Sequence, residues 1–92
     1  MDIHHLQKVS EPLQKAFLQL TSKHEVFNFL RDLLTQEEII ELSQRLDIAY
    51  RLQKGEIYKK IEEETGASST TIARVAKFLN GEFGGYRKAL KK

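Results

Sequence analysis

The stretch TGASSTTIARV, residues 65–75, holds five hydroxyl side chains and only two large apolar ones, Ile72 and Val75. Ile61 stands five residues before Gly66, Ala67 one after it, and Ile72 and Val75 six and nine after it. That spacing packs two short helices across a tight turn, the pattern of a helix-turn-helix. It predicts a first helix from about Ile57 to Thr65, with Ile57 and Ile61 as its apolar residues. A second helix follows from Ser68 or Ser69 to about Asn80. In such a unit the second helix enters the DNA major groove with its N-terminal residues at the base edges. Short hydroxyl side chains there allow a close approach, and the helix dipole favours phosphate. Ser68, Ser69 and Thr70 are expected to face outward with Ala73, Arg74 and Lys77, while Ile72 and Val75 face in. The competing reading is a plain helical hairpin whose serines and threonines only cap and solvate. Glu62 is an awkward fit, because a small residue usually faces the second helix from that position. With Glu63 and Glu64 it sets three anions near the reading head, either on the solvent face or paired to a cation.

Charge distribution favours the first reading. From Gly66 to Lys92 there are six cations (Arg74, Lys77, Arg87, Lys88, Lys91, Lys92) against one anion, Glu82, a balance of +5. Residues 1–65 carry nine Lys/Arg against twelve Asp/Glu, a balance of −3. A basic third on an acidic remainder suits a polyanion at one end of the molecule. A solvated tail is the bland alternative, since four of the cations lie in the last six residues. Lys59 and Lys60, on the first helix of the pair, are placed to meet phosphates.

Upstream the apolar residues follow helical periods. Leu6, Val9, Leu13, Phe17 and Leu20 recur at three- and four-residue steps, predicting an amphipathic helix over about Ile3–Leu20. Pro12 removes one donor from it, so a kink or a late start near Glu11 is expected. Ser22 with Glu25 has capping-box spacing for a second helix carrying Val26, Phe27, Phe29, Leu30, Leu33 and Leu34. Thr35 with Glu38 begins a third, running to about Lys54 and closed by Gly55 as a left-handed C-cap. These helices are apolar on more than one face, and a chain of 92 residues has little interior in which to hide them. A second subunit interleaved with the first is the economical solution; a monomer with scattered exposed hydrophobes is the alternative.

The expected architecture is therefore all-α, one domain over 1–92: a helical dimerisation core (1–54), a helix-turn-helix (55–80) and a basic C-terminal segment (81–92). Cysteine is absent, which excludes disulfides and thiolate metal sites and suits a reducing, cytoplasmic setting. No apolar run reaches 18 residues and no signal peptide is recognisable, so no membrane partner is expected. His4 and His5 point about 100° apart on a helix, and with His24 they do not make a metal site. No serine stands with a base and an orienting acid, so an enzyme is not expected, nor is a cofactor. A protein-interaction module built on the same helix pair is the rival to DNA binding.

The linked motifs LLTQEE, QRLDIAYRLQKGE and TGASSTTIAR resemble the tryptophan repressor superfamily, most nearly its short YerC/YecD-type branch. The likeness covers about Leu33–Leu79. It implies an intertwined helical homodimer with two helix-turn-helix heads reading double-stranded DNA, and hence a sequence-specific transcriptional regulator, a repressor. In that family a small-molecule corepressor lies between core and head, held by a threonine and two arginines. By resemblance these are Thr35, Arg45 and Arg74, with Thr71 nearby. Read locally, Thr35 is an N-cap and Arg45 an ion-pair partner of Glu41 four residues away. Val75 and Phe78 stand where tryptophan repressor has glycine and serine. They are expected to fill the indole space, making tryptophan the wrong ligand.

Overall fold

The computed structural model describes residues 2–91. Among them every regular element is helical, and the chain divides into two units, residues 1–36 and 37–92. In the first unit the opening amphipathic run is split into α1 (Ile3–Val9) and α2 (Glu11–Leu18). Ser10 leaves the helical region at φ −88°, ψ 0°, and its hydroxyl donates to the Leu6 carbonyl at 2.8 Å. Pro12 then falls in the first turn of α2, where a missing N–H costs nothing. The late start at Glu11 follows from that placement. Helix α3 (Lys23–Leu33) is capped by Ser22, which accepts from the Glu25 N–H at 3.1 Å. The Glu25 carboxylate accepts from the Thr21 N–H at 2.9 Å, closing the capping box one residue earlier than its usual form. Phe17 and Phe29 meet edge to face, with ring centroids 5.2 Å apart.

These contacts leave the unit without an interior. No described residue before Ile48 is buried. Leu6, Val9, Leu13, Phe17, Leu18 and Phe27 are each at least 39% exposed.

In the second unit, α4 (Gln36–Gln53) ends in a Schellman turn: Gly55 N–H donates to Leu52 and Glu56 N–H to Arg51. Arg51 secures this corner, donating to Asp47 at 3.2 Å and Glu56 at 3.1 Å. Its bonds to Asp47 and then Glu56 hold the guanidinium even more firmly protonated than usual. Next come α5 (Tyr58–Thr65), α6 (Ser69–Leu79) and a short α7 (Gly85–Ala89). Gly66 makes the α5–α6 turn at φ +74°, a region L side chains avoid. The Thr65 hydroxyl donates to the Ile61 carbonyl at 2.6 Å and accepts from Ala67 N–H at 3.2 Å, fixing the same turn. Gln44 on α4 donates to the Thr65 carbonyl at 3.1 Å.

The four apolar residues that the spacing singled out, Ile61, Ala67, Ile72 and Val75, are all buried. Ile48 and Ala49 of α4 complete their cluster, and Leu52, Tyr86 and Leu90 pack against it. Ile48, Ile61 and Ile72 are wholly enclosed, each worth roughly 1.5–3 kcal/mol. Ile57, expected to open the first helix of the pair, is instead the N-cap of α5 and 68% exposed, because the chain is still extended there after the α4 corner.

Candidate nucleic-acid interface

The helix-turn-helix core orients α6. Ile72, Val75 and Leu79 are spent on the buried face, which leaves Ser69, Thr70, Ala73, Arg74 and Lys77 on the exposed one. The five hydroxyls of the turn then separate by role. Thr65 stabilises the turn itself. Ser68 is the N-cap, accepting from Thr71 N–H at 3.2 Å and donating its own hydrogen to Thr71 Oγ1 at 3.1 Å. Ser69 and Thr70 have no side-chain hydrogen bond among the described residues, so their hydroxyls are free for an external partner.

Helix α6 carries no acidic residue. Arg74 and Lys77 are exposed on it, and Lys59 and Lys60 are exposed in the first turn of α5. None of the four enters an ion pair among the described residues, so no carboxylate competes with a polyanion for them. Glu63 and Glu64 lie on the solvent face and Glu62 is half-buried. No cation pairs with Glu62 among the described residues. The partial positive end of α6 and its two hydroxyls thus form a surface on which backbone phosphate and base edges can both be met.

Behind this face the same unit holds a cleft of about 320 Å³, lined by Arg45, Thr71, Arg74, Val75, Phe78 and Tyr86. Three of the four residues marked for an effector are therefore brought together; Thr35 belongs to the N-terminal unit. Arg45 forms no ion pair with Glu41 among the described residues. The expectation that Val75 and Phe78 remove the space needs correction. Val75 turns into the core at 3% exposed and Phe78 stays at the rim at 50%, so a cleft persists with both in its wall. Tyr86 is the wall residue that sequence reasoning missed. Its only signal was the four-residue step to Leu90. No described helix is long and apolar enough to cross a membrane.

Known proteins resemble this arrangement closely. A family model described as Trp repressor protein matches residues 5–92. The protein YerC of Bacillus subtilis (strain 168) is 43% identical over 83 residues, which span 90% of this chain and 80% of that one. A solved TrpR-like protein from Eubacterium eligens ATCC 27750 superposes with a TM-score of 0.82 at 39% identity, over 91% of this chain and 87% of its own. A Trp repressor candidate from Staphylococcus aureus gives 0.86 at 38% identity, over 98% and 91%.

Proposed function

The chain belongs to the Trp repressor family, and on that premise we propose that it is a sequence-specific DNA-binding transcriptional regulator acting as a homodimer. The observation that carries the reading is the division of α6. One face is packed away through Ile72, Val75 and Leu79, and the other presents Ser69, Thr70, Arg74 and Lys77 with no anion among them. Thr70 and Ser69 meet base edges and backbone, with Ser68 and Thr71 holding the helix start. Lys59, Lys60 and Lys77 hold phosphates, and Arg74 reaches either a base or the cleft.

The homodimer is supported by the absence of any buried residue before Ile48 among the described residues, together with the exposed Ile40, Leu42 and Leu46 on α4. Apolar surface on this scale is what a second copy covers in an interleaved dimer. We assign the protein the role of a repressor whose effector is not tryptophan. Arg45, Thr71 and Arg74 suit a small anion. The exclusion of tryptophan rests on Val75 and Phe78, which stand in the cleft wall where the tryptophan repressor has glycine and serine.

A salt series tests the reading. Binding of the full chain to labelled duplex DNA should weaken steeply as salt rises, since phosphate contacts release counterions. Binding that is absent, or indifferent to salt, would overturn it in favour of a protein-interaction module.

A further inference from the structure

Arg87 lies in the basic C-terminal stretch, where a phosphate contact is the obvious role, but its guanidinium is already engaged. Nη1 donates to the Leu79 carbonyl, and Nη2 to the Gly81 carbonyl at 2.9 Å. These oxygens lie at and just beyond the C-terminal end of α6, where helix carbonyls lack intrahelical donors. The neighbouring carbonyls are satisfied locally, Ala76 by Asn80 N–H and Nδ2, and Phe78 by Gly81 N–H. Leu79 and Gly81 receive the arginine fork.

The chain between them is shaped to deliver it. Gly84 adopts φ +70°, and a Cβ placed there would lie 3.2 Å from Arg87 Nη2. Any other residue would therefore both strain the backbone and press on the fork. Next to Arg87 in the chain, Tyr86 and the α7 C-cap Leu90 pack against the cluster that holds Ile72 and Val75. Helix α7 is thus fastened to the reading head twice, by an apolar contact to its core and a polar contact to the end of α6.

We propose that Arg87 is a positioning residue for DNA readout: its fork braces the C-terminal end of α6 and so fixes the angle at which Ser69 and Thr70 are presented. The proposal rests on α6 being the reading helix. Lysine cannot replace the fork, because a single ammonium does not span two carbonyls in a fixed plane.

Arg87→Lys keeps the charge and removes the fork, which separates bracing from phosphate binding. The ratio of affinities for a preferred and a random duplex is measured well below the unfolding midpoint, across a salt series. Arg87→Lys should lower that ratio roughly tenfold, with the salt slope unchanged. Gly84→Ala, which retains the arginine, should do the same. A loss of stability alone would leave the ratio where it was. Hydrogen exchange on the free protein gives a readout that needs no DNA: Arg87→Lys should speed exchange at Asn80 and Gly81. Should the parent show no DNA preference, the DNA-binding reading fails while exchange still decides whether the brace exists. Parental selectivity in Arg87→Lys, or parental exchange at those amides, would overturn the proposal.

Discussion

Lys77 sits in the last turn of α6, exposed and without an ion pair among the described residues, on the same side as Arg74. Its replacement by alanine removes the cation proposed to bind phosphate and nothing from the core, to which α6 contributes Ile72, Val75 and Leu79 from the opposite face. Each lost phosphate contact lowers the slope of log K against log salt by about 0.9. A homodimer carries two copies of Lys77, so the slope should fall by about 1.8. Between about 50 and 200 mM salt, the parent should then lose roughly twelvefold more affinity than the variant. Fluorescence anisotropy with labelled duplexes at four or five salt concentrations reads this directly, and circular dichroism checks that helix content is kept. The shift should be the same on preferred and random duplexes, because a phosphate carries no sequence information. Parallel salt lines for parent and variant would refute the placement of this face of α6 on DNA.

Thr70→Ala should behave oppositely, costing roughly 1–3 kcal/mol on the preferred site with little change on random DNA, as expected of a base-edge contact. Anisotropy on both duplexes distinguishes it from Lys77→Ala. Arg74→Ala should relax sequence preference if the guanidinium reaches a base, and leave it intact if Arg74 serves the cleft alone. Sedimentation at micromolar concentration should give twice the single-chain mass of 10.7 kDa. A mass near 10.7 kDa would contradict the covering of Leu6, Leu13 and Phe17 by a second copy. Titration calorimetry with tryptophan should show no saturable heat at micromolar levels; a saturable isotherm would show that the wall formed by Val75 and Phe78 admits an indole.

What could be read from the sequence was local in origin. The helix-turn-helix core was legible because Ile61, Ala67, Ile72 and Val75 lie within fifteen residues and their spacing alone sets the packing. Ser22 and Gly55 were legible because caps depend on neighbours only a few residues away. The break between α1 and α2 was legible through Pro12, although it is Ser10 that leaves the helix. Contacts between distant segments were harder. Ile48 and Ala49 belong to a helix that is apolar on several sides, so periodicity did not single them out as the third wall of the core. Helix α7 is five residues long, with glycine before it and cations within it, and carries almost no local signal. Arg87 was grouped with the tail cations because its partners lie six and eight residues back, across a turn. The grouping of Arg45, Thr71 and Arg74 was anticipated through resemblance alone, since Arg45 and Arg74 are 29 positions apart and line one cleft only in the folded unit; that the cleft stays open was not anticipated.

Selection of bound duplexes from a random pool by the full chain tests the reading head most directly. Two copies of α6 related by a dimer axis should enrich a near-palindromic site whose half-sites lie about one helical turn apart, ~34 Å. Thr70→Ala should blur the enriched motif and Lys77→Ala should leave it sharp. A pool that remains random after repeated rounds, or a motif unmoved by Thr70→Ala, would contradict the assignment of α6 as the element that reads DNA.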